Sequence, residues 1–266
     1  MKKEKRKISA GRPVWVEAMF PGRLMKKFRQ MLKEDETGEL LRSQNVMIPE
    51  RKQAYQKSRY HAEVYLHLSE ERRSRYGHMD FAFGNFVYSF GCYDEKSNRF
   101  FDLISDGVLV ISPREKYLDY CMREEKKILI GYPLLLSEAE EEELVGLLRA
   151  ARRDVAVWHP EKEKRGDSCL LTSASRLQKT VGAHFYKVRR KRFKTYFVLG
   201  INCALLVDEC IGVLGAERIT PRFGFITPGA CYRYFETALY WQKSLIAGRN
   251  IYFLPEILKQ NKERKN

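Results

Sequence analysis

The sequence predicts an α+β fold in which an antiparallel sheet packs against a central cysteine-bearing helix, and three observations carry that reading. Residues 61–68 alternate with period two, Gly84-Asn85 separates two β-rich runs as a two-residue hairpin turn does, and 202–215 is an apolar segment with a capping Asn in front and Gly215 behind. With 266 residues the chain is long enough for a sizeable core, and contents of 44% hydrophobic and 12% aromatic residues exclude a disordered or fibrous protein.

Residues 1–60 carry 16 Lys and Arg against 7 Asp and Glu, more than half of the formal net charge of +15. Within this basic arm, residues 23–33 place Leu24, Met25, Phe28, Met31 and Leu32 on one helical face, while 36–57, broken by Gly38 and Pro49, read as a linker. From Tyr60 onward His61, Glu63, Tyr65 and His67 fall on one side of a strand and Ala62, Val64, Leu66 and Leu68 on the other, which predicts one buried face. HMDFAF and FVYSFG flank the Gly84-Asn85 turn, residues 106–112 read as a further strand, and 127–136 as one or two more. Ser137 caps a helix with acidic residues in its first turns, arginines at its end and Leu144, Leu147, Leu148 and Ala151 in one stripe.

Residues 159–180 read as a polar loop. Beyond them 181–198 suggest two strands around a basic turn, in which Lys187, Arg189, Arg190, Lys191, Arg192 and Lys194 put six charges in eight residues. Thr227-Pro228 opens a last helix, since Thr caps it and proline suits the first helical position. The domain plan is an N-terminal arm and linker over 1–57, one folded domain over 58–258 and a basic tail over 259–266.

The excess of positive charge favours polyanionic partners: nucleic acid, an anionic membrane surface or a cell-wall polymer. The longest apolar stretch, 198–207, is about ten residues against the roughly 20 a spanning helix needs, and Arg12 and Pro13 interrupt any leader-like run. The expected location is the cytoplasm, with the basic arm able to hold the protein at the periphery of a membrane. Six cysteines at 92, 121, 169, 203, 210 and 231 form no C-x-x-C pair, which argues against a zinc site, and the reading calls for no cofactor.

Cys203 differs from the other five by its place. It follows the predicted cap Asn202, where free backbone N–H groups and the helix dipole favour a thiolate, and it shares a face with Leu206, Val207, Cys210 and Leu214. A thiolate mechanism also needs a base. Among five histidines His78 stands at a strand start directly after Gly77, with His61 and His67 as runners-up on the polar face of their own strand, and His159 and His184 in loop or edge positions.

Taken in order, the segments GHMDFAF with VYSFG, LSEAEEEEL, and TYFVLGINCALLVDE, which carries Tyr196, resemble the circularly permuted, NlpC-type branch of the papain-like cysteine hydrolases. That branch includes the Lnb-type N-terminal domains of bacterial proteins, and the resemblance spans about residues 60–235. It implies a papain-like, permuted fold with Cys203 as nucleophile and His78 as general base. It implies a hydrolase or acyltransferase, thiol-protease-like in chemistry, acting on an amide or ester of a peptide, a peptidoglycan-like or a lipid acyl substrate through an acyl-enzyme. For the third, histidine-orienting group the hairpin register puts Ser89 and Tyr93 on the His78 face; Ser89 is the choice, with Asp94 the alternative under another register. The competing reading is a catalytically silent basic module that engages nucleic acid or an anionic membrane surface through the arm and the 187–194 cluster.

Overall fold

The computed structural model describes residues 45–68, 77–100, 103–160, 162–165, 168–190, 192–198, 202–213, 227–242 and 245–254. The arm over 1–44 with the helix expected over 23–33, the charged stretch 69–76, the helix stop expected at 214–215 and the tail lie outside the described residues.

The described chain opens with strand β1 (Val46–Met47) and helix α1 (Pro49–Lys57), followed by β2 (Ala62–Leu68) and the hairpin of β3 (His78–Phe83) and β4 (Phe86–Gly91). Gly84 takes φ of +57° at the hairpin turn, a conformation that favours glycine. A short β5 (Ile104–Asp106) leads into β6 (Val108–Pro113), helix α2 (Arg114–Arg123), β7 (Ile128–Leu134) and α3 (Glu138–Ala151). Then come β8 (Val155–Trp158), the ladder of β9 (Lys162–Arg165) and β10 (Ser168–Leu171), α4 (Ser173–Val181), β11 (His184–Val188) and β12 (Thr195–Phe197). Helices α5 (Cys203–Val213) and α6 (Pro228–Tyr240) and strand β13 (Gly248–Tyr252) complete it.

Nine strands join in one sheet of order β1-β13-β7-β2-β3-β4-β6-β11-β8, every neighbouring pair antiparallel. The fold is therefore α+β with a large antiparallel sheet, and it carries helices on both faces. On one face Val64, Leu66, Phe81 and Ile130 pack with Leu144 and Leu148 of α3, Val207, Cys210 and Ile211 of α5, and Cys231 and Phe235 of α6. On the other, Tyr65, Ala82, Val87, Val110 and Phe185 meet Tyr117, Tyr120 and Cys121 of α2 and Ala174, Leu177 and Val181 of α4.

Two covered faces change the reading of β2, expected to bury one side only: all seven of its residues are buried. Its polar positions survive burial because each finds a partner. Glu63 pairs with Arg114 at 2.6 Å, Tyr65 accepts from Arg114 Nε at 2.8 Å, and His67 meets Asp80.

Other expectations give way for equally local reasons. Residues 46–57 are not a linker. β1 pairs with β13, Ile48 is buried, and Pro49 opens α1 because proline suits a first helical turn. The polar loop expected over 159–180 contains the β9–β10 ladder and α4, which Thr172 caps and Gly182 ends with φ of +76°. The strands expected around the basic turn do not pair with each other: β11 lies between β6 and β8, and β12 pairs with β5.

Candidate active site

The site is built at the edge of the β3–β4 hairpin where β3 begins. Gly77 enters with φ of +73°, a left-handed conformation that L side chains rarely adopt, and delivers His78 as the first residue of the strand. Register places Phe83 opposite Phe86 and Asp80 opposite Ser89, while on the other side of β3 His67 lies opposite His78. Strand alternation then sets His78 and Asp80 on one face, with Ser89 and His67 beside them.

His78 Nε2 lies 2.8 Å from Ser89 Oγ and 2.9 Å from Asp80 Oδ1. The other carboxylate oxygen, Asp80 Oδ2, receives His67 Nε2 at 2.5 Å and the Tyr117 hydroxyl at 2.8 Å. Ser89 Oγ continues to the Tyr93 hydroxyl at 2.8 Å. A carboxylate only accepts, so both imidazoles carry their proton on Nε2 when they face Asp80. Nδ1 of His78 is thereby left to another partner, and Cys203 is the further group that acts on this ring, raising it by charge and by hydrogen bonding.

The charges follow from burial and neighbours. Burial opposes a charge on His78, but Asp80 and then Cys203 outweigh it and raise the histidine to about 10, an imidazolium at neutral pH. Burial likewise opposes the Asp80 carboxylate, and His78 and His67 overcome it, holding the group well below the usual carboxylate range. Burial dominates at His67 and lowers it, so that ring is neutral.

Cys203 starts α5, and its approach is set by Asn202, whose Oδ1 accepts from Leu205 N at 3.2 Å as an N-cap while its Nδ2 donates to Val198 O at 2.9 Å. The thiol is 2% exposed and packs with Val207 and Cys210 in the core of the sheet face opposite to the histidines. His78 is the first residue of its strand and its side chain is 22% exposed. Tyr196 from β12 packs against Phe90 at 5.6 Å, and burial, then Cys203 and Cys92, push its phenol well above its ordinary range. The remaining described thiols are placed for packing or local bonding. Burial raises Cys210 to about 12 and lifts Cys121 and Cys231 far up, and Cys92 Sγ donates to Asn98 Oδ1 at 2.7 Å.

The structure thus brings Cys203, His78 and Ser89 together. Of the alternatives for the orienting group, Tyr93 reaches Ser89 rather than the histidine, and Asp94 is elsewhere, accepting from Lys96 N at 3.3 Å and pairing with Lys187 at 2.6 Å. His61, His159 and His184 are exposed and away from the cluster. Sequence reasoning missed Asp80, although HMDFAF places it two residues after His78 on the same strand face. It ranked His67 as an alternative base, not as the neighbour of the carboxylate. Among the described residues no group of three His, Cys, Asp or Glu side chains is arranged to hold a metal ion. No protein-family model, no curated protein and no solved structure matches this chain.

Proposed function

We propose that the protein is a cysteine-dependent hydrolase or acyltransferase of permuted papain-like design, acting on an amide or ester carbonyl. The observation that carries the reading is His78 bonded to Ser89 at 2.8 Å, ion-paired with Asp80 at 2.9 Å and further raised by Cys203. The order of elements along the chain, from the histidine hairpin through the capped helix α3 to the cysteine helix α5, supports the resemblance to the NlpC-type branch.

In this mechanism the Cys203 sulfur attacks the carbonyl carbon as a thiolate. The tetrahedral oxyanion collapses as the His78 imidazolium gives its Nδ1 proton to the leaving amine or alkoxide. Neutral His78 then takes a proton from water, or from an acceptor hydroxyl or amine, which attacks the thioester, expels the Cys203 thiolate and releases the acyl product, restoring the starting thiolate–imidazolium pair. Backbone N–H groups in the first turn of α5 supply oxyanion stabilisation; the Asn202 amide, already bonded to Val198 O, is committed elsewhere. Peptide, peptidoglycan-like and lipid acyl groups all present a suitable carbonyl.

The test is cysteine-resolved labelling with iodoacetamide at pH 7, read by mass spectrometry. Cys203 is expected to react at least about tenfold faster than Cys121, Cys210 and Cys231, since thiolate fraction sets the rate. His78→Ala should remove that advantage, and Cys203→Ser should abolish turnover of p-nitrophenyl butyrate with the fold intact. Because the thiol is 2% exposed, the same measurement reads solvent admission. Labelling of Cys203 no faster than its buried neighbours, and indifferent to His78→Ala, returns it to a packing role and leaves the basic binding module as the better reading.

A further inference from the structure

We propose that His67 is a positioning residue that, together with Tyr117, clamps one oxygen of Asp80 so that the other faces His78; this role rests on the cysteine-hydrolase reading of the site. His67 sits on β2, directly across from His78, with its ring 5.2 Å from the His78 ring in an edge-on arrangement. Its side chain is 1% exposed and that of Asp80 is fully buried.

The division of labour within the carboxylate is the central observation. Oδ2 takes both donors, His67 Nε2 and the Tyr117 hydroxyl, at 2.5 and 2.8 Å. Oδ1 has no directed hydrogen bond among the described residues, although His78 Nε2 stands 2.9 Å away and points to Ser89 Oγ. The carboxylate is therefore fixed at one oxygen and open at the other, beside the ring that must change charge. Ser89, itself bonded to Tyr93, holds Nε2 in place, and the charge of Oδ1 beside it steadies the imidazolium when Nδ1 is protonated.

Holding a carboxylate with this histidine is locally expensive. His67 Nδ1 is buried with no hydrogen-bond partner among the described residues. A purely structural donor to Oδ2 has no need of a second ring nitrogen. Burial keeps His67 uncharged against the opposing pull of Asp80, and the positive charges of Lys127, just before β7 and paired with Glu125 at 2.5 Å, and of His78 across the strand pair add to it; Tyr117 of α2 faces the same carboxylate oxygen. A second cation beside His78 would compete for Asp80, so a neutral His67 is the form that leaves Oδ1 to its partner. From the remaining elements His78 is met by Ser89 of β4, itself bonded to Tyr93, and acted on by Cys203 of α5.

The experiment compares the full chain with His67→Phe, which keeps ring volume and loses the donor, and with His67→Gln, whose amide nitrogen stands near the former Nε2. The primary readout is the NMR titration of the His78 ring, assigned by its loss in His78→Ala. His67→Phe is expected to lower the His78 midpoint by about one pH unit or more, since a carboxylate free to turn stabilises the imidazolium less, while His67→Gln stays close to wild type. If His67→Phe does not fold, His67→Asn, too short to reach Oδ2, is expected to show the same fall. A midpoint unchanged or raised in a folded donor-free variant overturns the proposal. The outcome is separable from that of the hydrolase reading. Slow Cys203 labelling in wild type counts against catalysis, and the His78 titration independently decides the clamp.

Discussion

Asp80 shows how a single residue sets the electrostatics of a site. Buried alone it would be protonated, yet two imidazoles and a phenol make the carboxylate the favoured form. This has a consequence for stability with a definite sign. His78 is raised in the folded protein to about 10 from about 6.5, so its contribution is complete below pH 6.5 and is lost as pH rises from there through 10. Asp80 is shifted the other way, contributing above the ordinary carboxylate range and losing that contribution as pH falls through its depressed folded value. His67, lowered by burial, also favours the unfolded chain once pH drops below 6.5. Thermal melts from pH 5 to 10 should therefore show a gap between wild type and His78→Ala that is constant up to pH 6.5 and narrows toward pH 10. A gap that stays level across that range would mean that His78 is not held charged by Asp80.

At the scale of elements, legibility followed punctuation. The β3–β4 hairpin, α3 and α6 were readable because their stop and start signals are local: Gly84-Asn85, the Ser137–Glu140 capping box, and Thr227-Pro228. The hairpin register followed from its two-residue turn, and Ser89 was legible as a neighbour of His78 for that reason. Helix α2 starts straight from the end of β6 at Pro113 with no side-chain cap, and it went unread, since only the spacing of Tyr117, Tyr120 and Cys121 marks it. The β2–β3 pairing that puts His67 against His78 joins strands separated by residues 69–77 rather than by a two-residue signal, and the β1–β13 pairing joins opposite ends of the described residues. Among the legible signals the capping box can be weighed. Glu140 Oε2 accepts from Ser137 N and Oγ, both at 2.7 Å, while the return bond from Glu140 N to Ser137 Oγ is long at 3.4 Å. Ser137→Ala is thus expected to cost about 0.5–1 kcal/mol, the lower part of the range for caps, seen as a fall of a few degrees in Tm with Cys203 labelling unchanged. An unshifted Tm would mean that the box is decorative at this exposed helix start.

The whole molecule divides its work between a three-layer core and its charge. The layers follow from two apolar faces on one sheet, each covered by its own helices, and among the described residues no helix is long and apolar enough to cross a membrane. Charge is distributed differently: residues 1–44 carry 12 Lys and Arg against 6 Asp and Glu, so deleting them lowers the formal charge from +15 to +9. The boundary between charge and core falls just after this segment. Val46 and Met47 pair with Arg249 and Gly248, Ile48 is 2% exposed with its N–H on Ala247 O, and Arg51 donates to Gln242 O at 2.8 Å. Two truncations separate the two roles. Removal of 1–44 leaves these contacts in place and is expected to hold Tm within a few degrees while weakening binding to anionic vesicles and single-stranded oligonucleotides. The wild-type binding should itself fall with added salt. Removal of 1–50 also strips the edge strand and the Ile48 side chain, worth about 2 kcal/mol of burial, and should lower Tm by roughly 4–8 °C beyond the shorter deletion. Equal melting temperatures for the two truncations would show that β1 contributes nothing to the core, and polyanion binding unaffected by the loss of 1–44 would move the charged surface to the folded domain.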